Sequence, residues 1–482
     1  MISAKRIVLE KVDDFDKLLD EIPNSYIDTY VIDDLKKCLG NRCKVIVVEY
    51  PYYESDYLSN YYIFYSKKMQ NFPKHSYRLM FFSDRGASDL MGYLALRPTY
   101  EGTRCGRTYI EPQYLVTKSA NIILADCKIH FRAGETVLRV FPHMRQEGDI
   151  AVCAHVALWS VLRSFTNRFH KYPEIRLGQL VEMIQPRAER LTPSRGLTPT
   201  QISDVFLKLG FSPIIRGNSD SNFIDEICSY IESGIPVIGF MPELEHAITI
   251  IGCGEPLREL VSSNRLTANY YEMFIDKNGH TYQTNVIMAA KLMKFLIIND
   301  DNQLPYRVLD KVIGESEVKY SLEAIKYAVV PLYSGVQLVY NDVKTAFLAL
   351  VTDGIFDWMR PDKLITRIFL TSANTYREYV NENSTAFGSD LSSILINLEM
   401  SKFVWCVEVS RPDAFVRGKI EAVVLVDSTS ATINKSPFLL LTKANQVDYC
   451  DDGKPVSYAW NAPLNVPAFH HNLVEVVPFG ED

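Results

Sequence analysis

A thiol, an imidazole and a carboxylate can share one proton-transfer chemistry if a fold brings them together, and this chain carries them in that order. Cys153 stands in QEGDIAVCAHVALWSVL (Gln146–Leu162), where a Gly-Asp loop leads into a helical pattern. At a helix start the positive end of the backbone dipole favours a thiolate, and the thiolate is the nucleophile. Gln146, just upstream, has an amide able to donate to an oxyanion beside the Cys153 backbone N–H. His246 begins the second apolar run of GIPVIGFMPELEHAITIIGCG (Gly234–Gly254). An imidazole at a strand edge is rigidly held, and can act as base toward a thiol and then as acid toward a leaving group. The third element is FLIINDDNQLPY (Phe295–Tyr306), an apolar strand running into a polar cluster. Asn299 or Asp300 there can accept from the imidazole and fix its tautomer. Strand alternation turns only one of the two inward. Asp300 is preferred, because a carboxylate also stabilises an imidazolium.

The elements that must position these groups are legible as patterns. Val156, Trp159, Val161, Leu162 and Phe165 recur at helical spacing and predict an amphipathic helix over 153–169. A second helix is expected over 177–184. Thr198 and Pro199 open a third as N-cap and first-turn residue, and Gly210 closes it. A fourth helix fits 223–232, ended by Gly234, with strands expected at 212–215, 235–240, 246–252 and 295–298. Helices first and strands later is the order of an α+β domain.

At 482 residues the chain is long enough for two or three domains. Residues 1–130 alternate strand-like runs, clearest in KVIVVEY (Lys44–Tyr50) and MGYLAL (Met91–Leu96), with polar turns, and read as an α+β accessory domain. Residues 131–305 hold the reactive constellation. Residues 306–482 read as a third α+β domain or as an elaboration packed on the second, with helices over 343–351 and 391–398 and strands over 403–409, 422–426 and 437–441.

Composition narrows the class. The chain is 47% hydrophobic and 23% charged, an ordinary globular balance, and its net charge of −7 argues against a nucleic-acid partner. The N-terminus lacks the apolar run and small-residue cleavage site of a secretory signal. No stretch approaches the roughly 20 apolar residues of a membrane helix. The nine cysteines are scattered with no CxxC pair, so neither a zinc site nor a disulfide framework is expected. These readings point to a cytoplasmic protein without cofactor or metal, in which a special cysteine is special by reactivity.

The run GLTPTQISDVFLKLGF, then IESGIPVIGFM, HAITIIGCG and LIINDD, resembles bacterial C39-type peptidase domains of the papain-like cysteine peptidase superfamily. The likeness lies in the order Cys, His, Asp or Asn, in the Gly-Ile-Pro-Val strand before the histidine and in the glycine after it. It covers about a third of the chain. The stretch between Gln146 and Cys153 is longer than papain-like enzymes show, and the run around the cysteine reads VCAHVALW. The resemblance implies a papain-like core and thiol hydrolysis of a peptide or isopeptide bond through Cys153, His246 and Asp300 (or Asn299), with Gln146 in the oxyanion position. Transamidation and side-chain deamidation use the same acyl-thioester, and a binding or scaffold protein can keep the fold without turnover. His155, two residues past Cys153, points to another side of its helix and is given no role. His143 and the His470–His471 pair read as surface residues, and Cys253 as strand core.

Overall fold

The computed structural model describes residues 3–131, 134–184, 196–219, 222–263, 266–276, 278–310, 321–360, 362–430, 437–461 and 463–480. Its fold is mixed α+β, built on three large sheets. The first is a six-stranded antiparallel sheet in the order Ser3–Val8, Val45–Tyr52, Ser76–Phe82, Leu90–Leu96, Cys105–Ile110 and His143–Met144. Val45–Tyr52 and Leu90–Leu96 follow the two apolar runs expected there. Such runs are what a sheet covered on its faces requires.

The central sheet is ordered Ser212–Gly217, Tyr327–Leu332, Val237–Met241, His246–Gly254, Phe295–Asn299 and Arg307–Asp310. Ala120–Ile122 pairs with the far end of the His246–Gly254 strand and with Val474–Val476. The third sheet runs from Tyr271–Ile275 and Thr281–Met288 through Leu364–Ser372, Phe403–Ser410 and Ala422–Asp427 to the hairpin Gln446–Asp451 and Lys454–Ala459. Strand pairing therefore crosses the linear boundaries drawn at 130 and 305. Residues 120–122, 327–332 and 474–476 enter the central sheet, while 271–288 leave it for the third. Ser229 and Ser233 of the Phe223–Glu232 helix tie the two sheets together. Ser229 Oγ donates to Ile368 O at 2.5 Å, and Leu370 N–H donates to Ser233 Oγ at 2.8 Å.

Local chemistry explains the elements that frame the reactive residues. Thr198 Oγ1 accepts from Gln201 N at 3.3 Å and Gln201 reaches back to Thr198 N at 3.0 Å, so the Pro199–Lys208 helix starts in a reciprocal cap. Gly210 and Gly234 take positive φ where their helices end.

The helix Cys153–Arg168 differs from its expected amphipathic form, since every residue from Ala154 to Phe165 is buried. The side away from the central sheet is covered by residues 55–63 and their neighbours. Trp159 Nε1–H donates to Asp56 Oδ1 at 3.0 Å, and Leu177 N–H donates to the same oxygen at 3.0 Å. Arg107 pairs with Asp56 Oδ2, and Arg163 stands 3.9 Å from it. A helix wrapped on all sides is a rigid mount for the residue at its tip. No described helix is long and apolar enough to cross a membrane.

Candidate active site

Cys153 is the first residue of its helix, and Val152 before it supplies no side-chain cap. The amides of the first turn thus face the thiol with the positive end of the helix dipole. Cys153 is partly exposed, unlike the core of the helix behind it. Its Sγ lies 4.0 Å from the carbonyl oxygen of Glu245. Glu245 holds a left-handed backbone at φ +49° at the end of the Pro242–Leu244 turn, directly before His246. Non-glycine residues rarely adopt that conformation, and it sets the direction in which the next strand starts.

His246 opens the strand His246–Gly254, whose remaining residues are all buried. The imidazole stands between a carboxylate and the thiol. Nε2 lies 3.0 Å from Asp300 Oδ1, and the Cys153 thiol is near enough to raise the ring's proton affinity. Asp300 holds Nε2, and Nδ1 is the ring nitrogen it leaves for proton transfer. Burial alone would lower the histidine's proton affinity. The Asp300 hydrogen bond, the Cys153 contact and the charges of Asp301 and Asp300 outweigh it and push the ring up to about 10. An imidazole so held is protonated at neutral pH, and a protonated imidazole beside a thiol is the partner a thiolate needs.

Asp300 follows the strand Phe295–Asn299 and is itself fixed. Oδ1 accepts from Asn302 N at 3.0 Å, and Oδ2 faces Arg307 Nη1 at 3.4 Å. Asn299, the other candidate, is turned elsewhere, with Oδ1 accepting from Tyr306 N at 3.0 Å. Both residues are buried. Alternation failed to choose between them because Asp300 lies beyond the strand's end, in the turn that Asn299 closes.

Gln146 donates from Nε2 to Asn302 Oδ1 at 2.9 Å. This is one of three bonds that stitch residues 141–146 to the turn 300–306. Phe141 N–H donates to Tyr306 Oη at 2.9 Å, and His143 Nε2 lies 2.9 Å from Gln303 O. His143 is therefore not a surface residue. It is buried against the Asp300 turn, and burial pushes its proton affinity down to about 4. His155 is also buried and pushed down to about 4, with no contact to the site among these bonds. His470 and His471 are exposed, and Cys253 is buried in its strand.

Two contributors carried no clear signal in the sequence. Asp301 places Oδ1 3.7 Å from His246 Nε2, and its side chain is 2% exposed. The polar run NDDN was its only trace. Beneath Gln146, Arg97 pairs with Glu147 at 2.8 Å with both side chains buried. Arg97 also donates to the carbonyls of Thr103, Cys105, Arg145 and Gln146, which pins the loop leading to Cys153.

His246, Asp300 and Asp301 each offer a ligand atom within 4.8 Å of the others, a spacing that metal ions use. The Asp300 carboxylate already takes Asn302 N–H and the Arg307 guanidinium, and a second cation beside Arg307 is disfavoured. The donor set fits a hydrogen-bonded imidazolium better than a metal ion. No family model matches the chain, and no curated protein or solved structure matches it.

Proposed function

We propose that this protein is a papain-like thiol hydrolase that cleaves a peptide or isopeptide bond through an acyl-enzyme. The observation that carries the reading is the meeting of a thiol, an imidazole and a carboxylate at the helix tip. The Cys153 thiol raises the proton affinity of the His246 ring, and Nε2 of that ring is held 3.0 Å from Asp300 Oδ1. Three side chains from three separate segments meet in the order nucleophile, base and orienting carboxylate.

In this reading the Cys153 thiolate attacks the carbonyl carbon of the scissile amide, and the carbonyl oxygen becomes an oxyanion. The uncapped Cys153 backbone N–H and the second amide hydrogen of Gln146 are the donors for that charge. Collapse of the tetrahedral intermediate breaks the C–N bond as His246 Nδ1–H passes its proton to the departing amine. Water then attacks the thioester as neutral His246 takes its proton, the C–S bond breaks, the acid is released, and the thiolate–imidazolium pair is restored. Asp300 keeps Nε2 protonated and the ring in line throughout.

The test is capture of the acyl-enzyme. Incubating the full chain with a peptide library and quenching in acid is expected to leave an acyl mass adduct on Cys153 and new peptide termini, both absent in Cys153→Ala. An unmodified Cys153 with an unchanged library contradicts hydrolysis. Adding a primary amine separates the related chemistries, since amine incorporation in place of new carboxyl termini identifies transamidation.

A further inference from the structure

Asp301 is buried without the hydrogen bonds that a buried carboxylate ordinarily has. Both of its carboxylate oxygens are sequestered without a hydrogen-bond donor, and its Oδ1 stands 3.7 Å from His246 Nε2, outside hydrogen-bond range. A buried carboxylate without donors costs free energy comparable to a lost hydrogen bond or more, and persists where an opposite charge compensates it. The compensating charge in reach is the His246 imidazolium.

The other groups facing Asp301 do not supply that compensation equally. Asp300, in the same turn, is a like charge already engaged by Asn302 N and Arg307. Arg145, beyond the His143–Met144 strand, acts on Asp301 from a distance and is itself paired with Asp34. His143 on that strand is held neutral by burial. Cys153, at the start of its helix, acts on the imidazole in the same direction as the carboxylates.

Resting on the reading of Cys153 and His246 as a reactive pair, we propose that Asp301 is a positioning residue whose negative charge holds His246 in the imidazolium form and so extends the pH range of the thiolate–imidazolium pair. The two carboxylates then divide the work. Asp300 takes the Nε2 proton and fixes the ring's direction, while Asp301 adds charge without taking a hydrogen bond. Burial pushes Asp301 itself up to about 7 against the pull of His246, so its charge is gained on going through neutrality. Above that range the imidazolium is held by two charges, and below it by Asp300 alone.

The experiment is a titration of the His246 ring by NMR on histidine-labelled full-length protein, with Cys153 alkylation rates measured on the same samples. Asp301→Asn is expected to lower the His246 midpoint by about one pH unit or more, the effect of losing one nearby opposite charge. Asp301→Glu is expected to restore most of that shift. Asp301→Ala, which also removes the charge, serves as the readout if the amide variant does not fold. A merely structural Asp301 would leave the midpoint in place and change only stability. An unmoved midpoint in a variant that removes the charge, with Cys153 still rapidly labelled through His246, overturns the role of Asp301 and spares the hydrolase reading. Sluggish labelling of wild-type Cys153, indifferent to His246→Ala, overturns both.

Discussion

Asp56 and Asp301 are both buried acids within the reach of the Cys153–Arg168 helix or its histidine partner, and they are treated in opposite ways. Asp56 lies behind the helix. Its Oδ1 takes Trp159 Nε1–H and Leu177 N–H, its Oδ2 takes Arg107, and Arg163 stands nearby. Burial raises its proton affinity, but the Arg107 and Arg163 charges overcome burial and hold it below the ordinary carboxylate range. Asp301 lies in front, against His246, and neither of its oxygens has a donor. The first is a fully engaged bracket between the N-terminal sheet region and the helix. The second is a charge kept unspent beside a titrating ring. The contrast separates the two uses of a buried acid. Satisfied lone pairs fix geometry, and unsatisfied ones are retained where a neighbouring group must change its charge.

That contrast can be broken by substitution. Asp56→Ala takes a buried carboxylate from Arg107 and Arg163, which keep Glu54 and Glu174, and removes the acceptor of the Trp159 and Leu177 hydrogen bonds. It is expected to cost about 3–5 kcal/mol in urea unfolding, while the folded fraction keeps its Cys153 reactivity. Asp301→Asn is expected to change stability by only about 1 kcal/mol, because no hydrogen bond is lost and the weaker hold on the imidazolium is offset by removing an unsatisfied buried charge. Equal costs for the two would erase the distinction.

A smaller effect concerns the stitching between residues 141–146 and the Asp300 turn. His143 and His155 are buried neutral, with folded proton affinities pushed down to about 4. A depressed folded value means that stability is fully present above the unfolded value of about 6.5 and is lost as pH falls toward 4. His143→Gln keeps a donor for Gln303 O and cannot take up a proton there. Acid unfolding followed by circular dichroism is therefore expected to begin at lower pH in that variant, and an unchanged onset would remove His143 from the account.

The candidate site was legible in the sequence where its signals are local. Apolar spacing ran the Cys153 helix to 169 against an observed end at Arg168, and the 223–232 helix matches Phe223–Glu232. His246 and Asp300 were found because an apolar strand adjoins each. What escaped were features made by contacts distant along the chain. His143 looks polar among Pro142, Met144 and Arg145, and it is buried by a carbonyl 160 residues away. The helix looks amphipathic because Arg163 and Ser164 are polar, yet Asp56, more than a hundred positions earlier, lets that side be buried. The insertion of Tyr327–Leu332 between Ser212–Gly217 and Val237–Met241 follows from sheet pairing that no local pattern encodes.

The central claim is that His246 activates Cys153, and the rate of Cys153 alkylation by iodoacetamide across pH tests it most directly. Peptide mass spectrometry resolves Cys153 from the other eight cysteines of the nine, and wild type is compared with His246→Ala. The account predicts rapid labelling of Cys153 near pH 6, slowed about tenfold or more in the variant, because the imidazolium is what sustains the thiolate there. Labelling that rises only as an ordinary thiol ionises, near pH 8.5, and at the same rate in both proteins would contradict it.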